Sequence, residues 1–460
     1  MRKINNNTMS FCLVEKNQKI LSIITDGDIR RYITQGGSLK DKVLIASNKK
    51  FYFLNKEKII KNNFNIKNYF KNQIKYIPVL DQQKKLFKIF FKDSSISTSL
   101  VEPYFKGNER KYLSDCIKTN WISSQGKYVT KFEDKFKEIF KTKNNLTTTN
   151  GTNALHLILS TLGIGKGDEV LVPDYTFIGS VNPIIYNNAI PKLIDIDKNF
   201  GIDPEKIKEN LNKNVKAIIV VHLFGVPANI IEIKKIAQKH KIFLIEDCAE
   251  AIGSYVNNVH VGNFGDAAMF SFFGNKTITT GEGGMACFKQ KKHFNKAKLL
   301  RGHGMSEKKR YWHDIIGYNY RMTNIQAAIG LAQLENYKSI IKKKIDLSKI
   351  YNEILKKNNF IELLPILKNQ INSYWFYVIQ IKNTKKFKIS NLIKYLKNQG
   401  VEARRSFYPI HRMDKYKRYA TKNISLSLKK SNSCILLPCW PNMKKNEVKF
   451  ISNKINSYFF

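Results

Sequence analysis

One lysine of this chain stands in surroundings that suit covalent chemistry. Lys276 lies among apolar and small residues in the segment 268–284, whereas the other lysines lie in polar surroundings. A partly desolvated amine has a lowered pKa and can form a Schiff base with a carbonyl compound. The glycines that end the segment would let the backbone close tightly around a ligand. The pattern indicates a nucleophile at Lys276, with a surface lysine on a glycine-rich loop as the alternative.

Two earlier segments could bind other parts of a cofactor. Residues 147–157 place polar residues and a glycine before a helical run, and the free N–H groups at a helix N-terminus suit a phosphate. Asp247 follows an apolar run at the carboxyl end of a predicted parallel strand, where α/β sheets bind ligands. Its carboxylate could hold a protonated pyridine nitrogen. An ordinary helix cap and a strand-end cap are the alternatives.

Taken together, a phosphate-binding helix, then Asp247, then Lys276 is the order typical of enzymes that use pyridoxal 5′-phosphate (PLP). That order predicts the aspartate-aminotransferase fold, known as fold type I. The elements that must position these residues begin near residue 101, where strand-like runs alternate with helical periodicity. This alternation predicts an α/β domain with a mostly parallel central sheet.

The individual elements follow from the same periodicity. The predicted strands are 169–172, 191–196, 215–221, 243–246 and 267–272, and the predicted helices are 154–162 and 230–240. From about residue 346 the chain is Lys-rich and helical and then alternates, with a strand at 374–381. We therefore predict a large PLP-binding domain at 99–345 and a small C-terminal domain at 346–460.

Residues 1–98 differ from the rest and contain a weak internal repeat. Residues 13–24 resemble residues 79–90, and each copy has the pattern of strand, polar turn and strand. This small α+β segment resembles a pair of CBS repeats, although the first copy lacks the usual opening strand and helix. The sequence therefore predicts a CBS-pair-like module in front of the larger domains.

The resemblance to CBS repeats implies a candidate nucleotide site. Many such repeats carry Ser/Thr-x-x-Asp, whose carboxylate can bind the ribose of an adenine nucleotide. Thr25 and Asp28 match that pattern, whereas the second copy has Phe91 and Ser94 at the same positions. The alternative is a small docking module with a turn at residues 26–27 and no nucleotide site.

Several motifs, in order, resemble the DegT/DnrJ/EryC1/StrS family of nucleotide-sugar aminotransferases over about residues 100–445. They are WISSQG at 121–126, GTNAL at 151–155, GDEV at 167–170, PDYTF at 173–177, EDCAEA at 246–251, SFFGNK at 271–276, GEGG at 281–284 and GYNYRMT at 317–323. Within the family, residues 311–328 most resemble the members that convert GDP-4-keto-6-deoxymannose to GDP-perosamine.

The resemblance implies how the residues around the cofactor ring would act. Lys276 would bind PLP as a Schiff base and move the proton during transamination. Asp247 would pair with the pyridinium nitrogen and keep the ring protonated. Phe177 falls where the family places a flat residue against the ring, and Glu250 falls where a Gln, His or Glu approaches its phenolic oxygen.

The resemblance also implies a phosphate site and a homodimer with shared active sites. Ser271 would hold the cofactor phosphate together with the backbone of Gly151 and Thr152. Asn319 would reach that phosphate from the partner subunit. Arg404 and Arg405 are candidates for binding a substrate carboxylate or diphosphate, with solvated basic residues as the alternative.

The reaction implied is transamination, because a related branch that dehydrates the sugar has histidine where this chain has Lys276. Glutamate would be the amino donor and a 4-keto-6-deoxy nucleotide sugar the acceptor, for surface polysaccharide synthesis such as that of O-antigen. A UDP- or dTDP-linked sugar is the alternative substrate. An alternative of another class is a nucleotide-sensing regulatory protein with a silent aminotransferase domain.

The overall composition excludes other classes of function. The net charge of +43 would suit nucleic acid, but lysines are spread along the whole chain without a nucleic-acid-binding motif, so no nucleic-acid partner is expected. No apolar run suits a membrane span, and the basic start at 1–7 does not resemble a signal peptide. The six cysteines form no C-x-x-C pair and indicate free thiols in a reducing cytoplasm. No metal site is predicted.

Overall fold

The chain divides into two compact units, Met1–Ser97 and Thr98–Phe460, which we call the N-terminal unit and the main unit. The computed structural model describes residues 11–60, 69, 76–91 and 98–459. Ser94 of the second repeat and the basic start at 1–7 lie outside these ranges. Within them, no helix combines the length and the apolar character that a membrane span requires.

Both copies of the repeat in the N-terminal unit form strand–turn–strand hairpins. The elements are β1 (Phe11–Lys16), β2 (Lys19–Thr25), α1 (Asp26–Thr34), α2 (Val43–Ala46), β3 (Leu54–Asn55), α3 (Lys56–Ile60), β4 (Tyr76–Leu80) and β5 (Leu86–Phe91). Strand β1 pairs antiparallel with β2, and β4 pairs antiparallel with β5 and parallel with β3. Asp26 and Gly27 begin helix α1 and form no separate turn, because Thr25 caps the helix.

The main unit alternates strands and helices. Its strands are β6 (Asn144–Thr148), β7 (Glu169–Pro173), β8 (Ile190–Ile194), β9 (Val215–Val221), β10 (Phe243–Asp247), β11 (Tyr255–Val256), β12 (Val259–His260), β13 (Ala267–Ser271), β14 (Gly284–Phe288), β15 (Ile361–Leu363), β16 (Gln370–Ile371), β17 (Tyr377–Ile381), β18 (Arg404–Arg405) and β19 (Cys434–Leu437). Its α-helices are α4 (Glu109–Lys118), α5 (Lys127–Phe140), α6 (Gly151–Leu162), α7 (Asn182–Tyr186), α8 (Pro204–Glu209), α9 (Ile230–His240), α10 (Lys291–Arg301), α11 (Asn324–Glu335), α12 (Tyr337–Leu355), α13 (Ile389–Asn398), α14 (Leu426–Ser431) and α15 (Lys445–Phe459).

A seven-stranded sheet with the order β6–β14–β13–β10–β9–β7–β8 forms the centre of the main unit. Strand β14 alone runs opposite to the other six strands, so the mostly parallel sheet is confirmed. Alternate residues of β9 point into different cores: Ile218 and Val220 into one, Ile219 and Val221 into the other. Both faces of the sheet are therefore covered, as parallel sheets require.

A second, four-stranded antiparallel sheet, β15–β17–β19–β18, lies towards the C-terminus with its own apolar core. Helix α12 connects it to the large sheet. Ile340 on this helix packs into a core of the large sheet, whereas Leu347, Tyr351 and Leu355 pack into the C-terminal core. The predicted boundary at 345/346 therefore falls inside one continuous helix that contributes to both cores.

Candidate active site

The carboxyl ends of neighbouring parallel strands open onto one cavity of about 470 Å³. Val221 ends β9, Asp247 ends β10 and Ser271 ends β13, and Phe177 follows β7. This is the sheet edge where ligands bind in α/β folds. Seven of the predicted site residues line the cavity: Gly151, Thr152, Phe177, Asp247, Glu250, Ser271 and Lys276.

Asp247 presents a buried carboxyl group to this cavity. Its Oδ2 accepts a hydrogen bond from Ser180 Oγ at 2.7 Å, and its Oδ1 accepts one from the Ala249 N–H at 3.0 Å. Burial raises the pKa of Asp247, although these hydrogen bonds and the charge of Lys276 oppose the rise. A buried carboxylate whose hydrogen-bond donors are neutral is stabilised by a cationic ligand, such as a protonated ring nitrogen.

The amino group of Lys276 lies between an aromatic face and a carboxylate. Its Nζ is 4.3 Å from the centre of the Trp375 ring and 3.8 Å from Glu250 Oε1. Burial lowers the pKa of the Lys276 amine, and the negative charges of Glu250 and Asp247 oppose that shift. A lowered pKa increases the fraction of unprotonated amine near neutral pH, and only that form is a nucleophile.

Glu250 is held by a strained segment of backbone. Its Oε2 accepts a hydrogen bond from the Phe224 N–H at 2.8 Å. Phe224 has a φ of 58°, in the left-handed region that bulky residues adopt only at a cost. Burial raises the pKa of Glu250 to about 7, because the charge of Lys276 and the Phe224 hydrogen bond offset it only in part. Such a carboxyl group can gain or lose a proton near neutral pH.

The start of helix α6 closes the opposite end of the cavity. The side chain of Asn150 accepts a hydrogen bond from the Asn153 N–H at 2.8 Å and so caps the helix. The N–H groups of Gly151 and Thr152 precede that bond at the positive end of the helix dipole. A Cβ atom at position 151 would lie 3.0 Å from Ser271 Cβ, so glycine allows the close approach to Ser271. This end of the cavity fits a phosphate.

Asn319 is not part of this cavity within one chain. It is exposed, and its backbone forms an isolated antiparallel bridge with Gly302. The cavity of a single chain therefore does not bring Asn319 to the predicted phosphate site.

The two predicted substrate arginines also lie outside the residues that line the cavity. Arg404 is exposed, and its Nε donates to Glu402 Oε1 at 2.9 Å. The Arg405 guanidinium lies 3.5 Å from the centre of the Tyr408 ring. Phe407, from the same segment, does line the cavity. The segment thus contributes an aromatic ring to the cavity, while both guanidinium groups are engaged elsewhere.

The predicted nucleotide pair in the N-terminal unit forms a helix cap. Asp28 Oδ2 accepts hydrogen bonds from Thr25 N–H at 2.9 Å and from Thr25 Oγ1 at 2.7 Å, and Thr25 Oγ1 accepts one from the Asp28 N–H at 3.1 Å. Asp28 also pairs with Arg31 at 2.5 Å. This reciprocal pattern is a capping box, which uses the polar atoms of both residues.

The sequence did not indicate two residues that contact Asp247 and Lys276. Ser180, which donates to Asp247, lies in a turn shortly after the PDYTF motif, and that motif was the signal for its segment. Trp375, which lies over Lys276, is one of four tryptophans in the chain. It comes from the C-terminal part, and no spacing in the sequence relates it to Lys276.

Three buried side chains of the kinds that bind metal ions lie close together, two of them on either side of Asp247 in the chain. Atoms of His222, Glu246 and Cys248 lie within 4.8 Å of one another. His222 Nδ1 accepts from the Ala228 N–H at 3.1 Å, so Nε2 carries the proton and donates to Glu246 Oε2 at 3.1 Å. Glu246 also accepts backbone N–H groups within residues 262–265. These hydrogen bonds anchor a loop to the strand that ends in Asp247.

The residues of the cavity fit PLP. A buried carboxyl group, Asp247, would face its ring nitrogen, and a desolvated lysine, Lys276, would face its aldehyde. The start of helix α6 with Ser271 would face its phosphate, since the glycine at 151 leaves room that a Cβ atom would fill. Glu250 provides a group that can be protonated near the Lys276 amine. The ring nitrogen, the aldehyde and the phosphate of the cofactor would thus each meet a complementary group.

Comparison with known proteins supports the same chemistry. The model of the DegT/DnrJ/EryC1/StrS aminotransferase family matches residues 103–456. The chain is 43% identical over 367 residues to a GDP-perosamine synthase of Vibrio cholerae, across 78% of this chain and 98% of that protein. It is 40% identical over 362 residues to a GDP-perosamine synthase of Escherichia coli O157:H7, with coverage of 78% and 98%. Among solved structures, the PseC aminotransferase of Helicobacter pylori, involved in the biosynthesis of pseudoaminic acid, has a TM-score of 0.73 and 27% identity, across 78% of this chain and 98% of that chain.

Proposed function

The chain belongs to the DegT/DnrJ/EryC1/StrS aminotransferase family, a PLP-dependent family of fold type I, and from this premise we propose that it converts GDP-4-keto-6-deoxymannose to GDP-perosamine. The observation that carries the proposal is the 43% identity to a GDP-perosamine synthase over 98% of that protein. The amino sugar would serve the synthesis of a surface polysaccharide such as O-antigen.

The residues around the cofactor would divide the work. When bound, PLP would supply an aldehyde that carries the amino group between donor and keto sugar, and a ring that draws electrons from the carbon that loses a proton. Lys276 would hold the cofactor through Nζ and move that proton. Asp247, oriented by Ser180, would hold the proton on the ring nitrogen. Phe177 would lie against the ring and Glu250 beside its phenolic oxygen.

Glutamate is proposed as the amino donor, and the nucleotide sugar as the acceptor. One cavity receives both in turn, so ping-pong kinetics are expected. The positive charge of the chain favours anionic substrates of this kind. The five cysteines of the main unit, all of them buried and within the described residues, form no disulfide, which supports the proposal of a cytoplasmic enzyme.

The proposed active enzyme is a homodimer in which each subunit completes the site of the other. Asn319 is the residue proposed to cross the interface and bind the cofactor phosphate, beside Gly151, Thr152 and Ser271. What supports this is the exposure of Asn319 and its position outside the residues that line the cavity of its own chain.

For the N-terminal unit, the proposal is a CBS-pair-like module that regulates activity by binding an adenine nucleotide. Its repeated hairpins, β1–β2 and β4–β5, support the resemblance. The capping box formed by Thr25 and Asp28 competes with a nucleotide site, because a ribose would have to displace the hydrogen bonds between them. Activity of the full chain and its Asp28→Ala variant, measured with and without ATP or AMP, tests the proposal; a response of neither protein contradicts it.

The catalytic proposal is tested by incubating the protein with PLP, glutamate and GDP-4-keto-6-deoxymannose and following the product by mass spectrometry. We expect amino sugar from the wild type and none from Lys276→Ala. Product from UDP- or dTDP-linked 4-keto sugars, and none from the GDP sugar, would reassign the substrate. If purified protein incubated with PLP shows no PLP absorbance, it does not bind the cofactor. That result would favour the silent regulatory protein.

A further inference from the structure

Trp375 reaches the catalytic lysine from the C-terminal part of the chain. It is buried and comes just before strand β17, and its ring face lies 4.3 Å from Lys276 Nζ. Its Nε1–H donates to the carbonyl of Asn275 at 2.9 Å. The ring is therefore tied to the residue that precedes Lys276 in the chain, which fixes the distance between the aromatic face and the amine.

The far side of Trp375 is fixed as well. Lys344, on helix α12, is 3% exposed, and its Nζ donates to the carbonyls of Trp375 at 3.2 Å and Cys439 at 2.6 Å. The Phe407 ring stacks nearly parallel to the Trp375 ring, at 6.1 Å between centres and 10° between planes. With both its backbone and its ring held, Trp375 is a rigid wall of the cavity.

We propose that Trp375 and Glu250 form a cradle that holds the amino group of Lys276 whenever that group is not bonded to PLP. The face of an indole ring attracts an ammonium group, most strongly where water is excluded. Glu250 Oε1 lies 3.8 Å from the same Nζ and supplies a negative or hydrogen-bonding partner. The aromatic face and the carboxyl group thus define one resting position for the amine.

The need for a cradle rests on the proposed function. In a transaminase, the lysine must release the cofactor when a substrate amine takes its place, and it must then act on a proton of that substrate. A lysine has a flexible four-carbon stem, so a released amine could leave the cavity. Held by Trp375 and Glu250, the Lys276 amine stays beside the reacting atoms through both half-reactions.

The pKa of the Lys276 amine should report whether the cradle formed by Trp375 and Glu250 exists. The ionisable groups that act on its charge are the carboxyl groups of Glu250 and Asp247, while Lys344 lies behind Trp375 and Glu282 lines the same cavity. Because an aromatic face favours the ammonium form, removal of the Trp375 ring should lower the pKa of Lys276. Leucine keeps that wall apolar, so the loss of the ring is separated from a loss of burial.

The test measures the reactivity of Lys276 in the full-length, PLP-free protein. Trace acetylation with acetic anhydride across pH 6–11, with the Lys276 peptide quantified by mass spectrometry, gives the midpoint at which the amine becomes reactive; surface lysines serve as internal standards. For Trp375→Leu we expect the midpoint to fall by about one pH unit, and for Trp375→Phe by less. Glu250→Gln should also lower it.

Trp440→Leu is the matched control. Trp440 is buried to a similar degree, and its Nε1–H donates to the Ser99 carbonyl at 3.0 Å. It also lines a small pocket together with Trp375 and Lys276, but it is the Trp375 ring face that lies against the Lys276 amine. Its midpoint should equal that of the wild type. No fall in Trp375→Leu, or an equal fall in Trp440→Leu, overturns the proposal; if Trp375→Leu does not fold, Trp375→Phe decides. The measurement uses no sugar, so its outcome is independent of the proposed substrate.

Discussion

Ser180 Oγ lies 2.7 Å from Asp247 Oδ2, and Thr176 Oγ1 lies 3.0 Å from Ser180 Oγ. An ionised carboxylate only accepts hydrogen bonds, so Ser180 donates to Asp247 and accepts from Thr176. This hydrogen bond lowers the pKa of Asp247 against the burial that raises it. Ser180 therefore favours the charged form of Asp247, the form that can hold a protonated pyridine nitrogen.

Replacement of Ser180 by alanine is expected to weaken both PLP binding and turnover. A hydrogen bond to a charged group contributes about 1.5–3 kcal/mol, so kcat/KM should fall by about tenfold or more. Steady-state kinetics and a PLP titration measure the two effects. Ser160→Ala is the control, because Ser160 Oγ donates to Asn187 Oδ1 at 2.9 Å outside the residues that line the cavity. Equal activity of both variants would contradict the assignment.

Glu250 should make the stability of the PLP-free protein depend on pH. Burial raises its pKa from 4.5 to about 7 in the folded chain, so folding favours the protonated form. The stability that protonated Glu250 contributes to the folded chain is fully present below about pH 4.5, the ordinary pKa of a glutamate. It is lost as the pH rises through 7. Glu250→Gln removes it, and the difference in unfolding free energy between pH 5 and pH 8 should shrink on the order of 2 kcal/mol.

Urea denaturation of the PLP-free protein at the two pH values measures this difference. The control is Glu353→Gln, on the exposed surface of helix α12. Its pH dependence should equal that of the wild type. If Glu250→Gln also keeps the wild-type pH dependence, burial does not raise the pKa of Glu250.

The sequence predicts an element of the fold where burial shows as a continuous apolar pattern, and misses it where a buried strand is mostly polar. The pattern predicts strand 215–221 and helix 230–240 with the observed bounds, because their apolar periodicity is continuous. It misses β6, whose sequence NNLTT is mostly polar, because contacts with distant residues hold this strand in the sheet. Thr147 N–H and Oγ1 both donate to Glu133 Oε1 at 2.8 Å, which nothing in the local sequence indicates.

The same distinction applies to the site. Residues in contiguous motifs, such as Asp247 and Lys276, line one cavity because parallel strands bring their carboxyl ends together. The position of Trp375 beside Lys276 could not be predicted from the sequence. The predicted strand 374–381 begins only at Tyr377, and Tyr374 has a φ of 52°, so the preceding backbone turns and brings Trp375 over Lys276.

Gly225 is expected to be sensitive to substitution because two parts of the main unit meet there. It has a φ of 84°, and an added Cβ would lie 2.6 Å from Ser373 Oγ and 2.7 Å from Asn372 Oδ1. Gly225→Ala should therefore add a steric clash to the cost of the left-handed backbone and displace Phe224, which donates to Glu250. We expect a loss of stability of about 2 kcal/mol or more and weaker PLP binding.

Gly163→Ala separates the two effects. Gly163 has a φ of 76°, but a Cβ there would meet nothing within 4 Å. Its substitution should cost only the backbone preference, about 1 kcal/mol, and leave PLP binding unchanged. Thermal unfolding and PLP titration of both variants test the comparison. Equal losses in both would show that the contact of residue 225 with residues 372–373 does not matter.

The proposed sharing of active sites between two subunits predicts that two inactive variants restore each other's activity. Lys276→Ala removes the nucleophile from its own chain, whereas Asn319→Ala should impair the phosphate site of the partner. If the proposal holds, the site with Lys276 in a mixed dimer receives Asn319 from the other chain and is intact. After subunit exchange at equal amounts, half of the dimers are mixed and each has one intact site, so activity should reach about one quarter of wild type.

The experiment must decide whether Asn319 acts in the active site of the partner subunit or in that of its own chain. If Asn319 acted in its own chain, the mixed dimer would combine one site without Lys276 and one without Asn319, and mixing would give no gain. Lys276→Ala mixed with Ser271→Ala is the control, because Ser271 lines the same cavity as Lys276. That pair should show no gain in activity. A gain for the Asn319 pair alone, measured as product formed after mixing, would therefore assign Asn319 to the active site of the partner subunit.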